Sequence, residues 1–123
     1  MKFEYYNPVD EKGGCIFRSF SKFFDKDYNS VKEEILKLQK DLKCESYTDD
    51  LVIETYLNDH GVYDTNSTYN GQIKDLNNTG KSIVLCYNKK DFYHMVTIID
   101  DIVFDKHDDT FDLYVLKIYK RRK

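Results

Sequence analysis

Apolar residues recur along the first half of the chain at helical intervals and, after Gly80, in short continuous runs. Ile16, Phe20, Phe23 and Phe24 fall at i, i+4, i+7 and i+8, one face of a helix that begins near Cys15. Asp25-Lys26-Asp27 interrupts it. Ser30-Val31-Lys32-Glu33 then has the form of a capping box, ahead of the apolar stripe Val31, Ile35, Leu38, Leu42. A third helix is expected from Thr48, with Asp49 and Asp50 in a first turn whose free N–H groups favour negative charge. Leu51, Val52, Tyr56 and Leu57 would face inward, and Gly61 would stop it.

Residues 62–80 are rich in Asn, Asp, Thr, Ser and Gly, which marks a connection, with a short helical hint at Gln72–Leu76. Beyond Gly80 the texture changes. Ile83-Val84-Leu85-Cys86-Tyr87 has the length and β-branching of a buried strand. Phe92 to Ile99 predicts a second strand, Ile102 to Phe104 begins a third, and Phe111 to Tyr119 makes a fourth. Helices followed by strands on short turns is an α+β order. The expected layout is one domain over 1–123: a helical part about 15–61, a polar connection 62–80, and an antiparallel sheet about 82–119.

Composition narrows the function classes. A net charge of −3 offers no broad basic field, so no nucleic-acid partner is expected. Lys120-Arg121-Arg122-Lys123 is the one basic cluster, a solvated end to the last strand. The start lacks the charged-then-apolar pattern of a secretion signal, and no apolar run nears the ~18 residues that span a bilayer. A cytoplasmic protein with no membrane partner follows. Cys15, Cys44 and Cys86 are widely spaced and none forms Cys-x-x-Cys, so neither a disulfide framework nor a zinc site is expected, and no cofactor.

Cys15 carries the candidate chemistry. Its thiolate is the nucleophilic form, and a helix N-terminus or a nearby imidazolium would lower its pKa. Gly13-Gly14 ahead of it would let the backbone approach a substrate, with the Cys15 N–H as one oxyanion donor. His94 opens an apolar strand. A two-residue turn at Asp100-Asp101 would set Asp105 opposite Val96, on the face that His94 shares. Asp105 would then be a diagonal neighbour of His94, about 7 Å or less between Cβ atoms. His107 is the rival partner, although the polar stretch Lys106–Thr110 suits an exposed loop. His60 suits a helix C-terminus. Cys86 fits an inert core thiol, and Cys44 has no histidine close in sequence.

Asn7-Pro8 followed by Gly14-Cys15-Ile16-Phe17-Arg18-Ser19, then His94-Met95-Val96-Thr97-Ile98-Ile99 and Val103-Phe104-Asp105, resembles small papain-like cysteine peptidase domains of bacteria and their phages. Those carry Asn-Pro upstream of Asp-Cys-Val/Ile-x-Arg-Ala/Ser at a helix start. A His then opens an apolar strand, ahead of a tight turn and Tyr/Phe-Asp. The resemblance runs from residue 7 to about residue 109, as pattern more than identity between its ends. It implies a papain-like fold, N-terminal helices packed on a C-terminal antiparallel sheet. Cys15 would be the nucleophile, His94 the general base and acid, and Asp105 the group that orients His94.

The resemblance also implies a side-chain amide ahead of the cysteine to complete an oxyanion hole. Val9 stands where a glutamine is usual, so Asn7 is the nearest candidate, and Gly14 replaces a frequent Asp or Asn. The implied function is a cysteine hydrolase of peptidase or amidase type, acting on a peptide or protein through a Cys15 acyl-enzyme. Deamidases and acyltransferases share this constellation. The missing glutamine sets an alternative beside it: an inactive papain-fold binding or inhibitory protein, of phage or mobile-element origin, that occludes a protein partner.

Overall fold

The computed structural model describes residues 1–122; Lys123, the last member of the basic cluster, lies outside the described residues. In chain order the elements are β1 (Lys2–Tyr5), α1 (Cys15–Phe24), α2 (Tyr28–Asp41), α3 (Asp50–Asp59), β2 (Val62–Asp64), β3 (Lys81–Tyr87), β4 (Tyr93–Ile99), β5 (Ile102–Asp105) and β6 (Tyr114–Arg121). Short 3₁₀ turns occupy Ile73–Asp75 and Asp108–Asp112. The fold is α+β, with a six-stranded sheet in the order β1-β5-β4-β3-β6-β2.

Strand alternation divides the apolar residues between two faces of the sheet. Ile83, Met95 and Tyr119 pack with Phe17, Phe20, Phe23, Ile35, Val52 and Leu57 of the three helices. Val84, Cys86, Val96, Ile98, Val103, Val115 and Ile118 form a second core, covered by Ile73 with Tyr69, Leu76, Phe111 and Leu113. Burial on both faces is why β3 is a continuous apolar run in the sequence rather than an alternating one.

The helix ends differ from expectation in detail. Asp25 closes α1 in the left-handed region (φ 55°). Asp27, not Ser30, caps α2: its carboxylate accepts the Ser30 N–H at 3.1 Å, so the helix begins one turn earlier than the capping-box pattern suggests. Asp49 caps α3, accepting from the Leu51 N–H at 2.9 Å.

Two strands correct the sheet. β1 pairs with β5 in parallel, so the sheet is mixed rather than antiparallel. β2 lies inside the polar connection and pairs with β6. The sheet is therefore not confined to residues 82–119. Both added strands are edges of only four and three residues, too short to show a hydrophobic pattern, although Val62 of β2 is buried in the helical-face core. No described helix is long and apolar enough to cross a membrane.

Candidate active site

Cys15 is the first residue of α1, and its N-cap, Gly14, offers no side-chain cap. The first-turn N–H groups of a helix have no intrahelical partner, so they face Cys15 as a source of positive potential. The two glycines ahead of it are set by tyrosines. Gly13 has φ 74°, and its carbonyl accepts the Tyr47 hydroxyl at 2.9 Å. A Cβ on Gly14 would lie 2.2 Å from the Tyr28 hydroxyl oxygen, which itself donates to Glu11 Oε2 at 2.5 Å. Close packing against Tyr28, rather than room for a substrate, is what excludes a side chain at Gly14.

His94 and Asp105 meet across the β4–β5 hairpin. The turn is Asp100-Asp101, with Asp100 at φ 54°, a conformation that aspartate tolerates better than most residues. The ladder runs Ile99↔Ile102, Ile98↔Val103, Thr97↔Phe104, and continuing it sets Asp105 opposite Val96. The His94 Nε2 lies 2.7 Å from Asp105 Oδ2. Asp105 is only 2% exposed, yet its carboxylate is fully engaged. Oδ1 accepts from Arg18 Nη2 at 3.0 Å and from the Lys106 N–H at 2.7 Å, and Oδ2 also accepts from the Thr110 hydroxyl. The Asp105 carbonyl accepts the Tyr6 N–H at 2.8 Å, tying β1 to the same residue.

Cys15 and His94 line one cavity of about 120 Å³, walled by Ile16, Ile53, Leu85 and Met95. With Nε2 held by Asp105, Nδ1 is the ring nitrogen left for the thiol. Burial raises the Cys15 pKa, but hydrogen bonding and charge from His94, the Met95 N–H and the charge of Arg18 together bring it below that of an ordinary thiol. Burial opposes charge on His94 as well. Its bonds to Asp105 and Cys15 outweigh that and push it up to about 9. Asp105 is likewise lowered: burial disfavours its charge, and the donors from His94, Thr110 and Lys106 prevail. All three shifts favour a thiolate–imidazolium pair oriented by a carboxylate.

Other residues stand differently. Asn7 does not line the cavity: its Nδ2 is directed to Asp10 Oδ1 at 3.3 Å and the Tyr5 hydroxyl at 3.5 Å. His107 is exposed and lies beyond the end of β5, so the ladder that would set it opposite His94 does not reach it. His60 binds the Tyr56 carbonyl through Nδ1 at 2.7 Å, at the last turn of α3. Cys86 is buried, donates to the His94 carbonyl at 3.3 Å, and burial pushes its thiol well up. Among the described residues no His, Cys, Asp and Glu cluster could hold a metal ion.

Arg18 and Thr110 bind the Asp105 carboxylate, a role the sequence reading gave to neither, although Arg18 stands in the motif that carries the resemblance. Arg18 is a lone cation in the apolar stretch Ile16–Phe20, three residues after Cys15, and so on its face of α1. That placement was a usable signal. Thr110 comes from a polar segment with nothing to distinguish it. Phe92, whose ring stacks near His94 at 5.9 Å between centroids, had no signal either. Compared with known protein families, curated proteins and solved structures, the chain matches none.

Proposed function

We propose that the protein is a papain-like cysteine hydrolase of peptidase or amidase type. The observation that carries this reading is the connected set Cys15–His94–Asp105: a thiol at a helix start, an imidazole beside it, and a buried carboxylate on the far ring nitrogen. Cys15 Sγ would bond to the substrate carbonyl carbon while the carbonyl π electrons move to oxygen, near the Cys15 N–H. On collapse, the leaving nitrogen would take the proton of His94 Nδ1, giving a thioester. A water molecule, losing a proton to His94, would then attack the thioester carbon and release the acid and the thiolate. Asp105 holds the ring throughout, the division of labour of a triad.

The test is the pH dependence of iodoacetamide alkylation at Cys15 in wild type and His94→Ala. The wild-type thiol should react well below pH 8, and His94→Ala should lose that advantage. Equal, ordinary titration in both would end the proposal.

One observation favours a second reading. No side-chain amide lines the Cys15 cavity, so an oxyanion would rely on backbone donors. A binding protein on the same fold, acting by occlusion, has no need of such an amide. Its effect on a partner should survive Cys15→Ser at one-to-one stoichiometry, whereas an enzyme's should not.

A further inference from the structure

The basic end of β6 is built into the sheet rather than trailing from it. Lys120 and Arg121 pair with Tyr63 and Val62 of β2, and the Arg122 N–H donates to the Gly61 carbonyl at 3.1 Å. With Lys81, the first residue of the neighbouring β3, these cations line a cavity of about 450 Å³ completed by Thr79 and Gly80. Small-molecule sites span about 300–1,000 Å³. The cavity lies by the C-terminal end of α1, whereas Cys15 stands at the other end, roughly 14 Å along the helix axis.

Each cation is held by a neutral group. Lys81 Nζ donates to the Phe23 carbonyl at 3.1 Å and Lys120 Nζ to the Thr79 carbonyl at 2.8 Å. The Arg121 guanidinium lies 5.4 Å from the Phe23 ring and 5.5 Å from that of Phe24, with Nη1 3.5 Å from the His60 carbonyl. The Arg122 guanidinium lies 4.0 Å over the Tyr63 ring. An aromatic ring engages the face of a guanidinium and uses none of its edge N–H groups, the fork that matches phosphate oxygens.

The surroundings leave most of this charge uncompensated. Phe23 and His60 stand at the C-terminal ends of α1 and α3, and a helix end carries about half a negative charge. Two such ends offset about one positive charge of the four. No carboxylate lines the cavity, and none of the four cations forms an ion pair among the described residues. Asp100 accepts the Gly80 N–H at 3.0 Å but lies outside the lining. A chain of net charge −3 that gathers four cations here is more negative still elsewhere, so the cavity is a local anion site and not part of a basic face that would follow a long polyanion.

We propose that this cavity binds a polyphosphate chain, carried by a nucleotide or free. A single phosphate, with about two negative charges, would leave half of the cations unmatched.

Isothermal titration with sodium tripolyphosphate tests the proposal, at low salt because exposed charge pairs are screened. One site per chain is expected, at least fivefold tighter than for inorganic phosphate. An exposed ion pair is worth up to about fivefold in affinity, so Lys120→Gln and Arg122→Gln should each weaken binding by about that factor. The double variant Lys40→Gln/Lys43→Gln removes exposed charge elsewhere and should leave binding unchanged. Metal-free ATP as a second titrant identifies the source: tighter binding than tripolyphosphate supports a nucleotide, and equal or weaker binding supports a free polyphosphate. Absence of binding to both, no preference over inorganic phosphate, an equal loss in Lys40→Gln/Lys43→Gln, or tighter binding of a thymidine 20-mer overturns the proposal.

Discussion

Arg18→Met separates the support of the site from its chemistry. The substitution keeps an apolar stem in α1 and removes the guanidinium from Asp105, where both partners are under a tenth exposed. Breaking a buried ion pair by deleting one partner costs about 3–5 kcal/mol, largely because the other charge is stranded. Asp105 would keep its bonds from His94, Thr110 and the Lys106 N–H, so the low end, about 3 kcal/mol, is expected. For a chain of this size that lowers Tm by about 10 °C.

A second readout follows from charge. Arg18 helps hold the Cys15 thiol down, so its removal should move the midpoint of iodoacetamide alkylation to higher pH. Thermal unfolding by circular dichroism and the alkylation profile measure the two effects independently. Arg18→Lys keeps the charge but not the planar fork, and should restore the alkylation midpoint more fully than Tm. A Tm within about 3 °C of wild type, or an unmoved midpoint in Arg18→Met, would refute the reasoning.

His94 should titrate near pH 9 when its ring is followed by nuclear magnetic resonance. In Asp105→Ala the midpoint should fall toward the ordinary 6.5, since Asp105 supplies its leading favourable bond. Because the folded-state pKa is raised, the stability from protonated His94 is complete below about pH 6.5 and lost as pH rises through about 9. Denaturant midpoints of wild type and His94→Ala should therefore converge across that window. Gly14→Ala drives a methyl group into the Tyr28 hydroxyl and should destabilise by about 1–3 kcal/mol; in a Tyr28→Phe background the loss should shrink, and an unchanged loss would point to another cause. Asn7→Ala should leave Cys15 alkylation and any hydrolysis within about twofold of wild type, whereas a hundredfold loss of hydrolysis would return Asn7 to the oxyanion hole.

Elements with an apolar face were legible in the chain. The stripe Ile16, Phe20, Phe23 fixes the burial of α1, and the runs in β3 and β4 declare strands because both of their faces are covered. The hairpin register follows from alternation around Asp100-Asp101, although that turn lacks the glycine two-residue loops prefer. β1 and β2, of four and three residues, are too short to display a period and were not legible. β1 forms because Lys2–Tyr5 lies along Ile102–Asp105, a pairing across nearly the whole chain that no local window contains. The same limit governs the site. Spacing can bring His94 toward Asp105, but the donors that saturate the Asp105 carboxylate arrive from α1 and from the turn after β5, and only three-dimensional packing unites them.

The bond between Arg18 and Asp105 joins positions 87 residues apart. Contacts of such long separation form late and open only with extensive unfolding. On the proposed hydrolase reading, a nascent or partly folded chain would carry Cys15 as an ordinary, sluggish thiol, and its nucleophilicity would appear when α1 docks on β4 and β5, bringing His94 and Arg18 to it. Reactivity would then be timed by folding: the chain would stay chemically quiet through synthesis, and a brief pulse of alkylating agent at neutral pH would count the molecules that have finished.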